Sequence, residues 1–314
     1  MRTRTEERRT AALVTMWERF PLVAERVRRG HGLRMPRHLA VFAAFWASVN
    51  DAEREALSDL MVSPWGVTEY FGDDGLRLVA RDELDERLHA RFRRDPAEFV
   101  TVLAGGSDGL HYGLWYDDPA ELPSVIAHNW ARDSAETWAC GPPTLLGVLR
   151  GRADAMLSDY GDTGEQAERM RALIAALDWF HAADREALSA DGEPRWASAR
   201  RSYGAVSLFP ALPPGSGDPR LTESNDRLSA LQSDSAQGAR WIADAEGELA
   251  AGRPALALAI GGELHWLDHD QYRRQELDLL VRAYRMLGRD ALADIAEIHA
   301  GRRDLTSVDV LVRP

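Results

Sequence analysis

Four carboxylates and two histidines in the last quarter of this chain are the residues whose types and spacing could do chemistry. Asp244, Glu246 and Glu248 fall at alternate positions near the end of a helical stretch, and Glu263 follows Gly261-Gly262. Paired carboxylates serve as acid and base when their surroundings push their pKa values apart. Glu248 with Glu263 could therefore make a stand-alone hydrolase, but no motif sets their separation, and this reading ranks last. Taken alone, the acidic run reads as a solvated helix face. His265 and His269 stand four apart with Asp268 between them. On a helix they would share a face, as zinc ligands can. No third ligand stands nearby and no glutamate is placed as in a metalloprotease, so surface or interface histidines are expected and a metal is not. Gly105-Gly106-Ser107-Asp108-Gly109 lacks the Lys-Ser/Thr ending of a phosphate loop and reads as a hairpin turn. Trp115, Trp130, Trp138 and Trp266 could stack a base or a nicotinamide ring; a place in the core is the expectation for all four.

The elements that must position these residues are bounded by composition. The chain has 314 residues, 45% hydrophobic and 28% charged, enough for one large domain or two ordinary ones with a packed core. Net charge is −12, and all 38 basic residues are arginine. Arginine without lysine in an Ala-rich chain fits a GC-rich bacterial genome, which is correlation rather than physics. An acidic surface repels phosphate backbones, so direct nucleic-acid binding is disfavoured; the charge suits a basic protein partner and a merely solvated surface equally well, and the solvated surface is the first expectation. Cys140 is the only cysteine, which excludes an internal disulfide and a cysteine-based zinc site and fits a reducing cytoplasm. The first residues carry charge without a following apolar segment, and no apolar run approaches ~20 residues, so neither a signal peptide nor a membrane span is expected.

Periodicity predicts an α+β fold. Leu13, Trp17, Phe20, Ala24 and Val27 mark a helix over 5–29, and a second runs from Pro36 to about Val49. Phe99–Leu103, His111–Tyr116 and Pro123–Ala127 read as strands joined by short turns, which makes an antiparallel meander the simplest arrangement. A helix over about 143–157 would cover it. Met170, Leu173, Ile174, Leu177 and Phe180 line an amphipathic helix over 165–188. A Pro- and Gly-rich zone then surrounds one more expected strand, Ala205–Phe209. After Thr222 the pattern is helical, with Leu277, Leu280, Val281 and Tyr284 as a stripe and Gly288 as a stop. The expected organisation is an N-terminal antiparallel sheet flanked by helices (1–160), packed on a mostly helical C-terminal α+β domain (161–314).

Several motifs, in one order, resemble the histone PARylation factor family. Asp95-Pro96-Ala97-Glu98-Phe99-Val100-Thr101 precedes the glycine turn; Asp117-Asp118-Pro119-Ala120-Glu121-Leu122-Pro123 follows it. Met35-Pro36 with Phe42 and Phe45-Trp46 is similar to the family's N-terminal helix. In the second half, Gly247-Glu248-Leu249-Ala250-Ala251-Gly252 and Gly261-Gly262-Glu263-Leu264-His265-Trp266 complete the likeness, which covers roughly 34–150 and 200–311. The resemblance implies a two-domain α+β accessory protein, not a self-sufficient enzyme. It implies binding to the catalytic domain of a poly(ADP-ribose) polymerase-type ADP-ribosyltransferase and redirection of modification toward serine. The glutamate lent to the shared active site as a base would be Glu248. The family arginine that supports partner binding falls on Arg220, and a family lysine near the site falls on Arg274. The family Asp that precedes the glutamate and touches the polymerase is replaced by Gly247, leaving Asp244 or Glu246 to take up its contact. No cofactor of its own is implied, because NAD is bound by the partner; a cytoplasmic monomer is expected.

The rival expectation is a non-catalytic binding or toxin-immunity module. The N-terminal half is similar, at fold level only, to the yeast cell-wall regulator and toxin-immunity superfamily. Gly247 in place of Asp favours that rival.

Overall fold

Helix α1 (Arg4–His31) starts where Thr3 and Glu6 close a capping box and stops at Gly32, whose positive φ of 70° only glycine adopts freely. The computed structural model describes residues 3–161, 163–196 and 204–314. Met16, Val23 and Val27 form the deep stripe of α1, while Leu13, Trp17, Phe20 and Ala24 pack beside it, partly covered. The apolar face is thus rotated slightly from the one periodicity suggests. Helix α2 (His38–Ser48) is apolar all round and therefore buried on nearly every side. Helix α3 (Asp51–Asp59) is started by a second capping box, Asn50 with Glu53, and Glu53 also receives Arg9 at 2.7 Å.

Strands β1 (Ser63–Pro64) and β2 (Val79–Ala80) are short. They precede β3 (Phe99–Ala104), β4 (Leu110–Trp115), β5 (Val125–Trp130) and β6 (Thr137–Ala139). The main sheet is antiparallel in the order β1-β3-β4-β5-β6, a meander with β1 added at one edge. The glycine-rich segment makes the β3–β4 turn, where Gly106 and Gly109 take positive φ. Every residue of β4 is buried, so the sheet is covered on both faces. Gly113 matters here: a Cβ on it would lie 2.6 Å from Phe99 Cζ, inside van der Waals contact.

Helices α4 (Leu145–Tyr160) and α5 (Glu165–Asp191) follow. Met170, Leu173, Leu177 and Phe180 are buried as their spacing suggests, with Ile174 only partly covered. Helix α5, which a boundary at 160 would place in the second domain, packs on α2, α3 and α4 of the first half. Residues 205–209 do not form the expected strand; only Ser207 bridges Thr137. The chain is bent there, since a Cβ on Gly204 would sit 2.0 Å from the Ser207 carbonyl oxygen, and Pro210 has no N–H to extend a ladder.

The second half is helical: α6 (Ser224–Gln232), α7 (Ala236–Ala250), α8 (Ala255–Leu267), α9 (Arg273–Met286) and α10 (Asp290–Ala300). Leu280 and Tyr284 are buried with Leu279 and Ala283, whereas Leu277 and Val281 lie at the margin of the stripe. Gly288 stops α9 with φ 70°. The tail returns as β7 (Leu311–Val312) to pair with β2, so the last residues are stitched to the first half. One hydrophobic cluster runs through both halves, from Val23 and Phe45 to Leu256 and Tyr284. Polar links cross the seam as well: the Tyr284 hydroxyl donates to Glu98 at 2.7 Å, and the Val310 N–H donates to His89 at 3.1 Å. No helix among the described residues is long and apolar enough to cross a membrane.

Candidate functional site

Helix α7 buries Trp241, Ile242, Ala245 and Leu249, whose one-, three- and four-residue steps keep them on one face and fix its rotation. That rotation turns Asp244, Glu246 and Gly247 to the surface and leaves Glu248 half-buried. Ser235 caps the helix by accepting from Gly238, and a Cβ on Gly238 would meet the Ala230 carbonyl at 2.6 Å. Helices α6 and α7 therefore meet closely, and Glu248 stands on a rigid element near its end.

The Glu248 carboxylate is held by two arginines. Arg220 Nη2 lies 3.0 Å from Oε1, and Arg253 Nε pairs with Oε2. Arg220 comes from a short 3-10 turn, Pro219–Glu223, begun by Asp218. Asp218 accepts from the Arg220 backbone N–H at 2.9 Å and from its guanidinium at 2.9 and 2.6 Å, a forked pairing that fixes the side chain. The other Arg220 nitrogen lies 3.6 Å from Asp244. Arg253 is brought in by the helix end: Gly252 takes φ 79°, and the Arg253 N–H donates to the Glu248 carbonyl at 2.9 Å. Hydrogen bonding from Arg253 is the largest cause that holds Glu248 below the ordinary glutamate range; desolvation opposes it and comes second, and the hydrogen bond from Arg220 adds to the lowering. Asp218 is lowered likewise, chiefly by Arg220.

This surface cluster rests on a buried one. Arg227 donates to the Arg220 carbonyl at 3.1 Å and grips Glu263 with two bonds, at 2.7 and 2.5 Å. Arg227 is fully enclosed and Glu263 nearly so. Burial pushes Glu263 up to about 7, against the pull of Arg227. Glu263 is thus an internal anchor on Arg227, whereas Glu248 pairs with Arg220 and Arg253 at the surface.

The site residues named from sequence divide cleanly. Arg220, Asp244 and Glu248 meet in one network. Glu246 is exposed on α7 outside it, and Arg274 is exposed in the first turn of α9 with no ion pair among the described residues. Asp218 and Arg253 were not legible as members, although Gly252 just past an acidic helix end is the kind of left-handed stop that folds the next residue back. Gly247 is open: a Cβ there would meet nothing within 4 Å.

The histidines do not share a helix face. Asp268 turns left-handed (φ 52°) and ends α8, so His269 lies beyond the helix. His265 is buried at the seam, 2.7 Å from Glu276 and 3.1 Å from the Asp95 carbonyl, with Arg303 bridging Glu276 at 2.7 Å. Among the described residues no three His, Cys, Asp or Glu side chains converge as a metal set. Trp115 is buried and Trp266 donates to the Ser134 carbonyl at 2.9 Å, but Trp138 is on the surface rather than in the core, bonded to Glu136. Its strand is the sheet's outer edge.

Comparison with known proteins gives these features a family context. A family model described as histone PARylation factor 1 matches residues 23–187, just over half of the chain. Histone PARylation factor 1 of Danio rerio is 28% identical over 131 residues, covering 40% of this chain and 36% of its own length. The Bos taurus protein of the same name is 23% identical over 253 residues, 73% of this chain and 71% of its own. The family-model match ends within α5, before the Arg220–Glu248 network begins.

Proposed function

Since the chain belongs to the histone PARylation factor family, we propose that it binds a poly(ADP-ribose) polymerase-type ADP-ribosyltransferase domain and lends it Glu248 as a base. The partner would hold NAD, and this chain would bring no cofactor. A serine hydroxyl is a poor nucleophile near neutral pH. In the shared site Glu248 would take its proton as the serine oxygen bonds to the anomeric carbon of the nicotinamide-side ribose. Nicotinamide would leave with the electrons of its carbon–nitrogen bond. Such base assistance contributes roughly 10²–10⁴-fold in rate.

The observation that carries this reading is the convergence of Glu248, Arg220 and Asp244 at one surface. Glu248 and Arg220 fall on the family's catalytic and partner-binding positions, and Asp244 is one of the two residues left to take up the contact of the family Asp that Gly247 replaces; they come from two separate elements. Glu246 and Arg274 are proposed as contacts at the rim of the docking face. The test is to mix the purified chain with a transferase domain, NAD and a serine-containing peptide, then map the acceptors by mass spectrometry. Serine modification that depends on the chain supports the reading; an unchanged acceptor pattern opposes it.

One observation favours a second reading. Both Glu248 oxygens are already paired, and Gly247 offers no side chain for contact. A non-catalytic binding or toxin-immunity module, as in the yeast cell-wall regulator superfamily, would use the same acidic face to plug a partner's cleft. Inhibition of the transferase in the same mixture, with no new acceptor, would favour it.

A further inference from the structure

A carboxylate whose two oxygens are both engaged by guanidinium groups is a weaker base, because taking a proton weakens its bonds to them. The two arginines on Glu248 are not equally able to leave. Arg220 is braced by Asp218 through its backbone and its fork, and its carbonyl is tied to the buried Arg227. Arg253 is the looser partner. Its side chain is 63% exposed, and among the described residues Glu248 is the one carboxylate it pairs with. Its backbone is nonetheless fixed, between Gly252 in the left-handed region and Pro254, with its N–H on the Glu248 carbonyl. The guanidinium can therefore swing away by side-chain rotation while the end of α7 stays in place.

We propose that Arg253 is a positioning residue that covers Glu248 in the free chain and uncovers it when a carboxylate on the docking partner draws the guanidinium away. The inference rests on Glu248 being the base. It gives the accessory protein a resting state in which its borrowed carboxylate is occupied, and a working state reached only in the complex. Arg220 stays on Oε1 throughout and orients the carboxylate, leaving Oε2 to face the acceptor. The other charged groups facing Glu248 are Asp218 behind Arg220 and Asp244 one turn earlier on α7. Both remain in place when Arg253 turns. The depressed titration of Glu248, owed first to Arg253, agrees with this arrangement.

Two measurements on the full chain test it. In the free protein, carboxyl-carbon NMR of labelled glutamates follows the Glu248 resonance, identified by its loss in Glu248→Gln. The titration should move upward in Arg253→Ala toward the ordinary glutamate value of about 4.3, and less in Arg253→Lys. With the transferase domain, NAD and a serine peptide, Arg253→Ala should raise serine transfer about two- to five-fold, the scale of one exposed ion pair. A Glu248 titration that ignores Arg253→Ala overturns the proposal. So does a loss of transfer in Arg253→Ala as deep as that of Glu248→Gln, because Arg253 would then be needed during the reaction. If Glu248→Gln abolishes transfer and Arg253→Ala leaves it unchanged, Arg253 is not the cover and the base reading stands. If Glu248→Gln is silent, the base reading itself fails, and the role of Arg253 fails with it.

Discussion

Removing the Arg227 guanidinium should destabilise the second half in a pH-dependent way. Arg227 is fully enclosed and holds Glu263 with bonds of 2.7 and 2.5 Å. Arg227→Ala leaves a buried carboxylate without its cation, a change that typically costs about 3–5 kcal/mol. For a chain of 314 residues that lowers the melting midpoint by about 5–8 °C. The sign of the pH effect follows from Glu263, which burial lifts to about 7 even with Arg227 present. A carboxyl raised in the fold above its unfolded value of about 4.3 favours folding most when protonated, and that benefit is lost as pH rises through the folded value. Without Arg227 the carboxyl is raised further, so the deficit is smaller near about pH 5 and larger near about pH 8. Thermal and urea melts at both pH values check this. Arg227→Met with Glu263→Leu, which removes both charges, should recover most of the loss. Melts of Arg227→Ala that match the parent at both pH values, or a deficit equal at both, would refute the reasoning.

Other substitutions probe the scaffold and the docking face. Gly113→Ala places a methyl 2.6 Å from the Phe99 ring and should cost about 1–3 kcal/mol in urea unfolding. Tyr284→Phe deprives the buried Glu98 of its 2.7 Å hydrogen bond across the seam, a loss of about 1–3 kcal/mol by the same measurement. Gly247→Asp should be accommodated within about 0.5 kcal/mol, since the site is open and on the surface. If the face docks a transferase as proposed, that variant should bind the partner more tightly in calorimetry; weaker binding would point away from the family's contact geometry.

The parts of the fold that were legible are those where local pattern and packing agree. The meander was readable because Phe99–Leu103 and His111–Tyr116 flank a turn whose glycines take positive φ. Helix α5 was readable because Met170, Leu173, Leu177 and Phe180 follow one stripe and are all buried. What escaped depends on contacts between distant residues. Strands β1, β2 and β7 have two residues each, and β7 finds its partner at Val79–Ala80, far away in sequence. Residues 205–209 have strand-like types but are bent at Gly204, which a β-propensity argument does not see. At the candidate site, the family pattern marked Arg220 and Glu248, and they do meet, with Asp244, one of two stand-ins for the Asp that Gly247 replaces, beside them. Arg253 was hidden because its return onto Glu248 depends on the left-handed Gly252 and not on any spacing of charged residues. Glu263 has the type of a second chemical carboxylate, but it is buried and paired with Arg227, a residue distant in sequence.

The most direct measurement of the central claim is serine transfer by Glu248→Gln in the presence of the transferase domain and NAD, with complex formation followed in parallel. Undiminished docking and a loss of serine transfer of about 10²-fold or more are expected. Full serine transfer by a well-bound Glu248→Gln protein would contradict that claim.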